Sequence, residues 1–257
     1  MADQNLPPTG YGKGRTGLRV EDCFFYHHLM LPNGEEQPGV WDLRSCVDDY
    51  LGRIDYAGKR VLEIGPASGF LTFAMEERGA RVTGVELSED YVGDIVPLGD
   101  RDPAIERKER EALVNRVINS FWYGHERTGS RADIFYGDAR LLPQEIGTFD
   151  IGLIGAVLLH SRDPTSIIMS CANRVTEHIV VVDAWHDWMD TEPNPILRFV
   201  PDGGGRNNHT WWQISPKYLE RVLGILGFKF TALHRFEATH LGKVYPLYSL
   251  VARRSEG

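Results

Sequence analysis

The stretch Val61–Gly69, VLEIGPASG, constrains the fold of this chain more than any other. Its apolar run is too short for a helix and ends in an acidic residue, Glu63, just before a turn bracketed by Gly65 and Gly69. A helix-like run, Phe70–Arg78, and a second apolar strand ending in Glu86 follow. Strand, turn, helix and strand in that order make a parallel pair, because parallel strands need a crossover, and parallel sheets are buried on both faces.

The alternation continues. After Arg60–Ile64 and Arg81–Glu86, the pattern predicts strands at Ala132–Tyr136, Phe149–Gly155 and His178–Ala184. A helix at Pro216–Leu226 opens on Ser215-Pro216 and stops at Gly227, and two strands, Lys229–Phe236 and Leu247–Arg253, close the chain. This is an α/β chain, a doubly wound sheet with helices on both faces. Residues 1–57 read as an N-terminal cap or lid. Within it, Trp41, Val47, Tyr50, Leu51 and Ile54 have the spacing of a helix over Trp41–Ile54. Residues 58–257 read as the core, with a helical insertion at about 91–130 and a substrate loop at about 186–213. The insertion carries a charged helix, Pro103–Ser120, which reads as a solvated face, then FWYGHERTG, whose Phe121, Trp122 and Tyr123 could frame an adenine.

Charge and cysteine usage narrow the function. The formal net charge is −8, which weighs against a broad contact with nucleic acid phosphates. Three widely spaced cysteines, Cys23, Cys46 and Cys171, form neither a CxxC pair nor an even disulfide set. The first residues carry no secretory pattern, and no uncharged apolar run has membrane-spanning length. These features point to a cytoplasmic protein with a small-molecule partner and no membrane partner. The oligomeric state stays open, with a homodimer among the readings.

The turn itself suits a nucleotide cofactor. Gly65 and Gly69 allow close backbone approach, while Ala67 stands where a middle glycine is common. Glu63 would accept from a cationic amine and repel a pyrophosphate, which favours S-adenosylmethionine over a dinucleotide. Glu86 ends the next strand, where a carboxylate can accept both ribose hydroxyls. Asp138, in Gly137-Asp138-Ala139 after the third strand, is placed for the adenine amino group, with the Ala139 backbone at the ring edge. Pro66, Leu87 and Gly155 complete the candidate cofactor set.

At these residues the chain resembles the class I S-adenosylmethionine-dependent methyltransferases, over roughly Gly58 to the C-terminus. The resemblance implies a Rossmann-like, seven-stranded sheet whose last strand is antiparallel and inserted beside the sixth. It implies that Glu63, Gly65 and Gly69 hold the methionine end, Glu86 the ribose, and Asp138 with Ala139 the adenine. PGVWDLR, FDIGLIGAVLLHSRDP and WWQISPKYLERVLGILGF look like a bacterial subgroup related to the tRNA wobble-uridine carboxymethyl-transferring enzymes. Those enzymes use a carboxylated cofactor held by basic residues, for which no match is placed here, and the acidic balance weighs against tRNA.

The expected activity is therefore methyl transfer to a small molecule, at a hydroxyl oxygen first and an amine nitrogen second. A tRNA-modifying transferase and a non-catalytic cofactor-binding module are the alternatives. Ligands of open α/β sheets sit beyond the carboxyl ends of the strands. His160, after the fourth strand, and His186 with Asp187, after the fifth, are the candidate catalytic groups. Tyr26, His27, Trp41, Trp185, His209 and Trp211 are the candidate substrate contacts, with aromatic faces suited to a sulfonium. Arg44 could reach a carboxylate, although a surface ion pair is the commoner fate of a lone arginine. No metal site is expected, since the adjacent His27 and His28 diverge.

Overall fold

Alternate positions of the same strands feed two separate hydrophobic cores. Val61, Val180 and Val182 join one; Leu62, Ile64, Ile179 and Val181 join the other. That alternation is the side-chain period of an extended chain, and it is why a sheet divides the molecule into two layers. The computed structural model describes residues 10–88, 93–98, 102–201 and 208–255. Parts of the expected N-terminal cap (1–9), helical insertion (91–92 and 99–101) and substrate loop (202–207) lie outside the described residues.

The strands are β1 (Gly10–Tyr11), β2 (Leu29–Met30), β3 (Glu36–Gln37), β4 (Trp41–Asp42), β5 (Arg60–Ile64), β6 (Arg81–Glu86), β7 (Asp133–Tyr136), β8 (Phe149–Gly155), β9 (Val175–Ala184), β10 (Leu197–Phe199), β11 (Trp212–Ile214), β12 (Phe228–His240) and β13 (Lys243–Arg254). The helices are α1 (Val47–Tyr50), α2 (Phe70–Glu77), α3 (Pro103–Thr128), α4 (Pro164–Ala172) and α5 (Pro216–Ile225). Strands β7, β6, β5, β8 and β9 lie side by side and parallel. The last strand, β13, runs antiparallel between β9 and β12. The seven expected strands thus stand in the expected arrangement, and the carboxyl ends of β5 to β9 open at one edge.

Two short strands extend that sheet to nine. β1 adds antiparallel to β7 at one edge, and β4 adds antiparallel to β12 at the other. The segment from 10 to 57 therefore crosses the sheet from edge to edge. Its Phe25, Leu29, Leu43, Tyr50 and Leu51 pack into the core that also contains Leu71, Met75 and Phe121. Two smaller hairpins, β2–β3 and β10–β11, stand apart from the main sheet.

Two local expectations change. Trp41–Ile54 is not one helix: Trp41 and Asp42 pair with His240 and Thr239, and α1 keeps only Val47–Tyr50. Sheet pairing takes the first residues, and left-handed Gly52 and Arg53 stop the helix. Conversely, α3 runs past Ser120 through the FWYGHERT segment to Thr128, capped by left-handed Gly129. Phe121, Trp122 and Tyr123 are consequently buried on a helix rather than placed in a loop. α5 starts as the sequence implies, with Ser215 accepting from the Tyr218 N–H at its N-cap. All three cysteines are buried and unpaired. No helix among the described residues is long and apolar enough to cross a membrane.

Gly52 tests how firmly the crossing segment is seated. It has φ +71, and a Cβ there would stand 2.8 Å from Val251 Cγ2. Gly52→Ala should lower stability to denaturant by about 1–3 kcal/mol. An unchanged denaturation midpoint would show that the segment does not pack as described.

Candidate active site

The loop after β5 is shaped by three consecutive demands on its backbone. Gly65 has φ +75, and a Cβ on it would meet Val157 Cγ2 at 2.5 Å. Gly69 has φ +88 and opens α2, where a Cβ would strike the Phe73 ring at 2.5 Å. Ala67 adopts φ 50 although it is not glycine. The Glu86 carboxylate holds it there, accepting from the Ala67 N–H at 3.0 Å and the Leu87 N–H at 2.8 Å. Pro66 packs over Gly84 on β6. Burial pushes the Glu86 carboxyl up, against the pull of these two N–H donors and of Arg110.

Glu63 projects from β5 into the core side and is almost wholly buried. Thr72 on α2 donates to Oε2 at 2.5 Å, and Oε1 has no partner. Burial raises this carboxyl to about 8. Asp183, at the end of β9, is equally buried; Oδ1 accepts from the Ala184 N–H at 2.7 Å, and Oδ2 has no partner. Burial raises it to about 7. Tyr50 feels both carboxylates, and its hydroxyl lies where a Cβ on Gly155 would come within 3.1 Å.

A third group joins the rim. Arg110, half-buried, shares the inward face of α3 with the buried Glu106, Val114 and Ile118, at four-residue spacing. Its charge acts on Tyr26, Glu86, His160 and His209, from four separate parts of the chain. His160 Nδ1 meets the His209 carbonyl oxygen at 2.6 Å, and the two rings lie 5.4 Å apart. Because a carbonyl only accepts, Nδ1 carries the proton and Nε2 keeps its lone pair. Burial lowers His160 to about 4. His27 is likewise lowered to about 4 by burial; its backbone N–H donates to Ser68 Oγ in the glycine loop at 2.7 Å, and its ring Nδ1 is unpartnered.

The expected residues are thus only partly assembled. Tyr26, Glu86, His160 and His209 all feel the Arg110 charge, His160 and His209 are bonded to each other, and His27 bonds the glycine loop. Asp138 is engaged by Arg140, at 2.6 Å and 3.0 Å, next to Ala139. Trp211 donates to the Asp94 carbonyl at 3.2 Å. Trp41 stacks on His240 at 4.5 Å, with its indole pulling on the Tyr26 phenol. Trp185 packs in the opposite core, under Arg235 at 3.9 Å. His186 stands with Asp187 and Arg198, outside the Arg110 group, and Asp187 is exposed. Arg44 pairs with Asp42 at 2.8 Å on the surface.

Several groups at the site carry weak sequence signals. Asp94 ties the 93–98 segment to Arg162 at 2.9 Å and to Arg140 at 3.4 Å, with a side chain only 4% exposed. Nothing in its sequence surroundings marks it. Arg110 was legible in principle from the 106–110–114–118 periodicity, which contradicts a wholly solvated helix. Tyr50 was legible only as an apolar-face residue.

No protein-family model matches the chain. It is 30% identical over 151 residues to a ubiquinone biosynthesis O-methyltransferase of Dechloromonas aromatica, covering 58% of this chain and 53% of that one, so it spans about half that relative's length. A protein of the same description from Marinobacter nauticus is 25% identical over 231 residues, covering 84% and 83%. Among solved structures it is similar to magnesium protoporphyrin IX methyltransferase of Synechocystis with bound S-adenosylhomocysteine, with TM-score 0.52, 18% identity and coverage of 83% and 82%.

The buried carboxyls set a pH dependence. Glu63 and Asp183 hold their protons more tightly folded than unfolded, so their contribution is complete below the ordinary carboxyl range and is lost as pH rises through about 8 and about 7. His27 and His160 do the opposite, losing their contribution as pH falls from 6.5 towards about 4. Without ligand, stability should fall by about 2 kcal/mol between pH 6.5 and 8. The double change Glu63→Gln and Asp183→Asn should flatten that fall; an identical slope in the variant would refute the assignment.

Proposed function

We propose that this chain, which has the class I S-adenosylmethionine-dependent methyltransferase fold, methylates a hydroxyl oxygen of a small-molecule acceptor. The observation that carries the reading is the cradle at the strand ends. Glu63 presents an unpartnered, buried Oε1 beside a loop whose Gly65 and Gly69 leave no room for side chains. Those residues fit S-adenosylmethionine: an ammonium for Glu63, ribose hydroxyls for Glu86 and an adenine amino group for Asp138. The O-methyltransferase description of the two bacterial relatives supports the same class of reaction. An amine acceptor is the second choice.

When bound, the cofactor supplies a methyl group activated on a sulfonium. The chain's own part is binding, alignment and proton handling. Glu63 ionises on meeting an ammonium. Glu86 keeps spare lone pairs for the ribose, since each oxygen uses only one for Ala67 and Leu87. Arg140 orients the Asp138 carboxylate. His160, neutral and locked by the His209 carbonyl, offers Nε2 to the acceptor's hydroxyl proton. The 10–57 segment, through His27 on Ser68, and the 208–213 segment, through Trp211 on Asp94, form the cover that excludes water.

The narrower likeness to tRNA carboxymethyl-transferring enzymes asks for a basic face, and a net charge of −8 gives it no support. Three unpaired, buried thiols suit a reducing cytoplasm.

Two variants divide binding from chemistry. Glu86→Ala should weaken S-adenosylhomocysteine binding at least tenfold by isothermal titration. His160→Ala should keep that affinity and lower kcat on a hydroxyl-acceptor panel by about 10²–10⁴-fold, with His186→Ala nearly unchanged. Loss of turnover in His186→Ala alone would move the base to His186. Tight binding without turnover on any acceptor would make the chain a non-catalytic cofactor-binding module.

A further inference from the structure

Arg110 is a half-buried guanidinium on the inward face of α3 that feels the Glu86 carboxyl without bonding it. Its Nε is buried without a hydrogen-bond partner, and no ion pair or hydrogen bond of its side chain exists among the described residues. Glu106, one turn earlier on the same face, accepts instead from Asn208 Nδ2 at 2.9 Å. Partly burying a guanidinium without a hydrogen-bonded partner is costly. No hydrogen-bond or ion-pair partner among the described residues repays this cost.

We propose that Arg110 binds an anionic group, a carboxylate or phosphate, on the methyl acceptor, so that the acceptor is an acid. The inference rests on the methyltransferase reading. A planar guanidinium fork matches an oxyanion bidentately. Its place in the site separates the acceptor's anion from the cofactor's own carboxylate. Arg110 acts on Glu86, Tyr26, His160 and His209, whereas the groups acting on Glu63 are Thr72, Glu86 and Glu76. The geometry agrees: Glu106, one turn from Arg110 on the same face, bonds Asn208, whose neighbour His209 bonds His160, so this face of α3 lies on the histidine side of the cradle. The cofactor's carboxylate shares a carbon with its ammonium and follows it to Glu63. A guanidinium with no bonded anion beside a sulfonium would also repel it, and an acceptor anion cancels that charge. The same anion, docked on Arg110, brings the acceptor to the side of the site where His160 offers its free Nε2.

The test uses the full chain. S-adenosylhomocysteine is first titrated into the wild-type protein, and benzoate, inorganic phosphate and the neutral benzamide are then titrated into the loaded complex. Benzoate should bind at least tenfold more tightly than benzamide. Arg110→Leu should abolish the preference with S-adenosylhomocysteine affinity within twofold of wild type, Arg110→Lys should keep part of it, and Arg110→Glu should favour benzylamine. Without ligand, Arg110→Leu should raise the melting temperature by about 2–4 °C, because it removes a half-buried charge with no hydrogen-bonded partner. A fall in melting temperature would make Arg110 structural and overturn the proposal. So would the lack of a benzoate preference in the wild type, or its survival in Arg110→Leu. A tenfold loss of S-adenosylhomocysteine affinity in Arg110→Leu, with 5′-methylthioadenosine binding unchanged, would assign Arg110 to the cofactor carboxylate and also overturn it. Failure of the wild type to bind S-adenosylhomocysteine would sink the methyltransferase reading and this inference with it; normal binding without an anion preference would sink this inference alone.

Discussion

A carboxyl group buried at the carboxyl end of the central strand is the constraint on which the site depends. Glu63 faces the core from β5, held on one oxygen by Thr72 of α2 and unsatisfied on the other. A buried, half-satisfied carboxyl is costly, so such a group marks a place where a ligand completes the hydrogen bonding. The parallel sheet makes this possible: it brings the ends of β5, β6, β7, β8 and β9, and with them Glu63, Glu86, Asp138, Gly155 and Asp183, to one edge.

The electrostatics of that edge are built from groups in unfavourable protonation environments. Glu63 and Asp183 are pushed up by burial, His27 and His160 are pushed down by it, and the Nε of Arg110 is buried without a hydrogen-bond partner. Each is a departure from what folding alone would favour, and their clustering at one edge of the sheet is characteristic of functional sites. The glycine loop shows the same tension at the backbone. Ala67 takes a left-handed φ that glycine would adopt without strain, and the Glu86 carboxylate secures it.

Much of this was legible in the sequence because it follows short-range rules. Strand and helix alternation, the Ser215 cap and the acidic residues at successive strand ends all report local periodicity and turn chemistry. The resemblance to class I methyltransferases added the antiparallel insertion of the last strand, which no local rule contains. What was not legible depends on distant pairing. β1 and β4 are two residues each, and they exist only because β7 and β12 offer them an edge. The helix expected over Trp41–Ile54 lost its first residues to that pairing. Trp185 and Trp211 looked equivalent as loop aromatics, yet one is core packing and the other a strut on Asp94. Arg110 was visible as a charge on a helix, but its inward direction is set by α3 continuing through Phe121–Thr128 and burying that face.

The most direct measurement is the proton balance of cofactor binding. Isothermal titration of S-adenosylhomocysteine at pH 7, in buffers of different ionisation enthalpy, should show binding with release of about one proton, as Glu63 ionises against the ammonium. The release should vanish in Glu63→Gln. Absence of binding, or proton-neutral binding in the wild-type chain, would contradict the assignment of Glu63 and of the site around it.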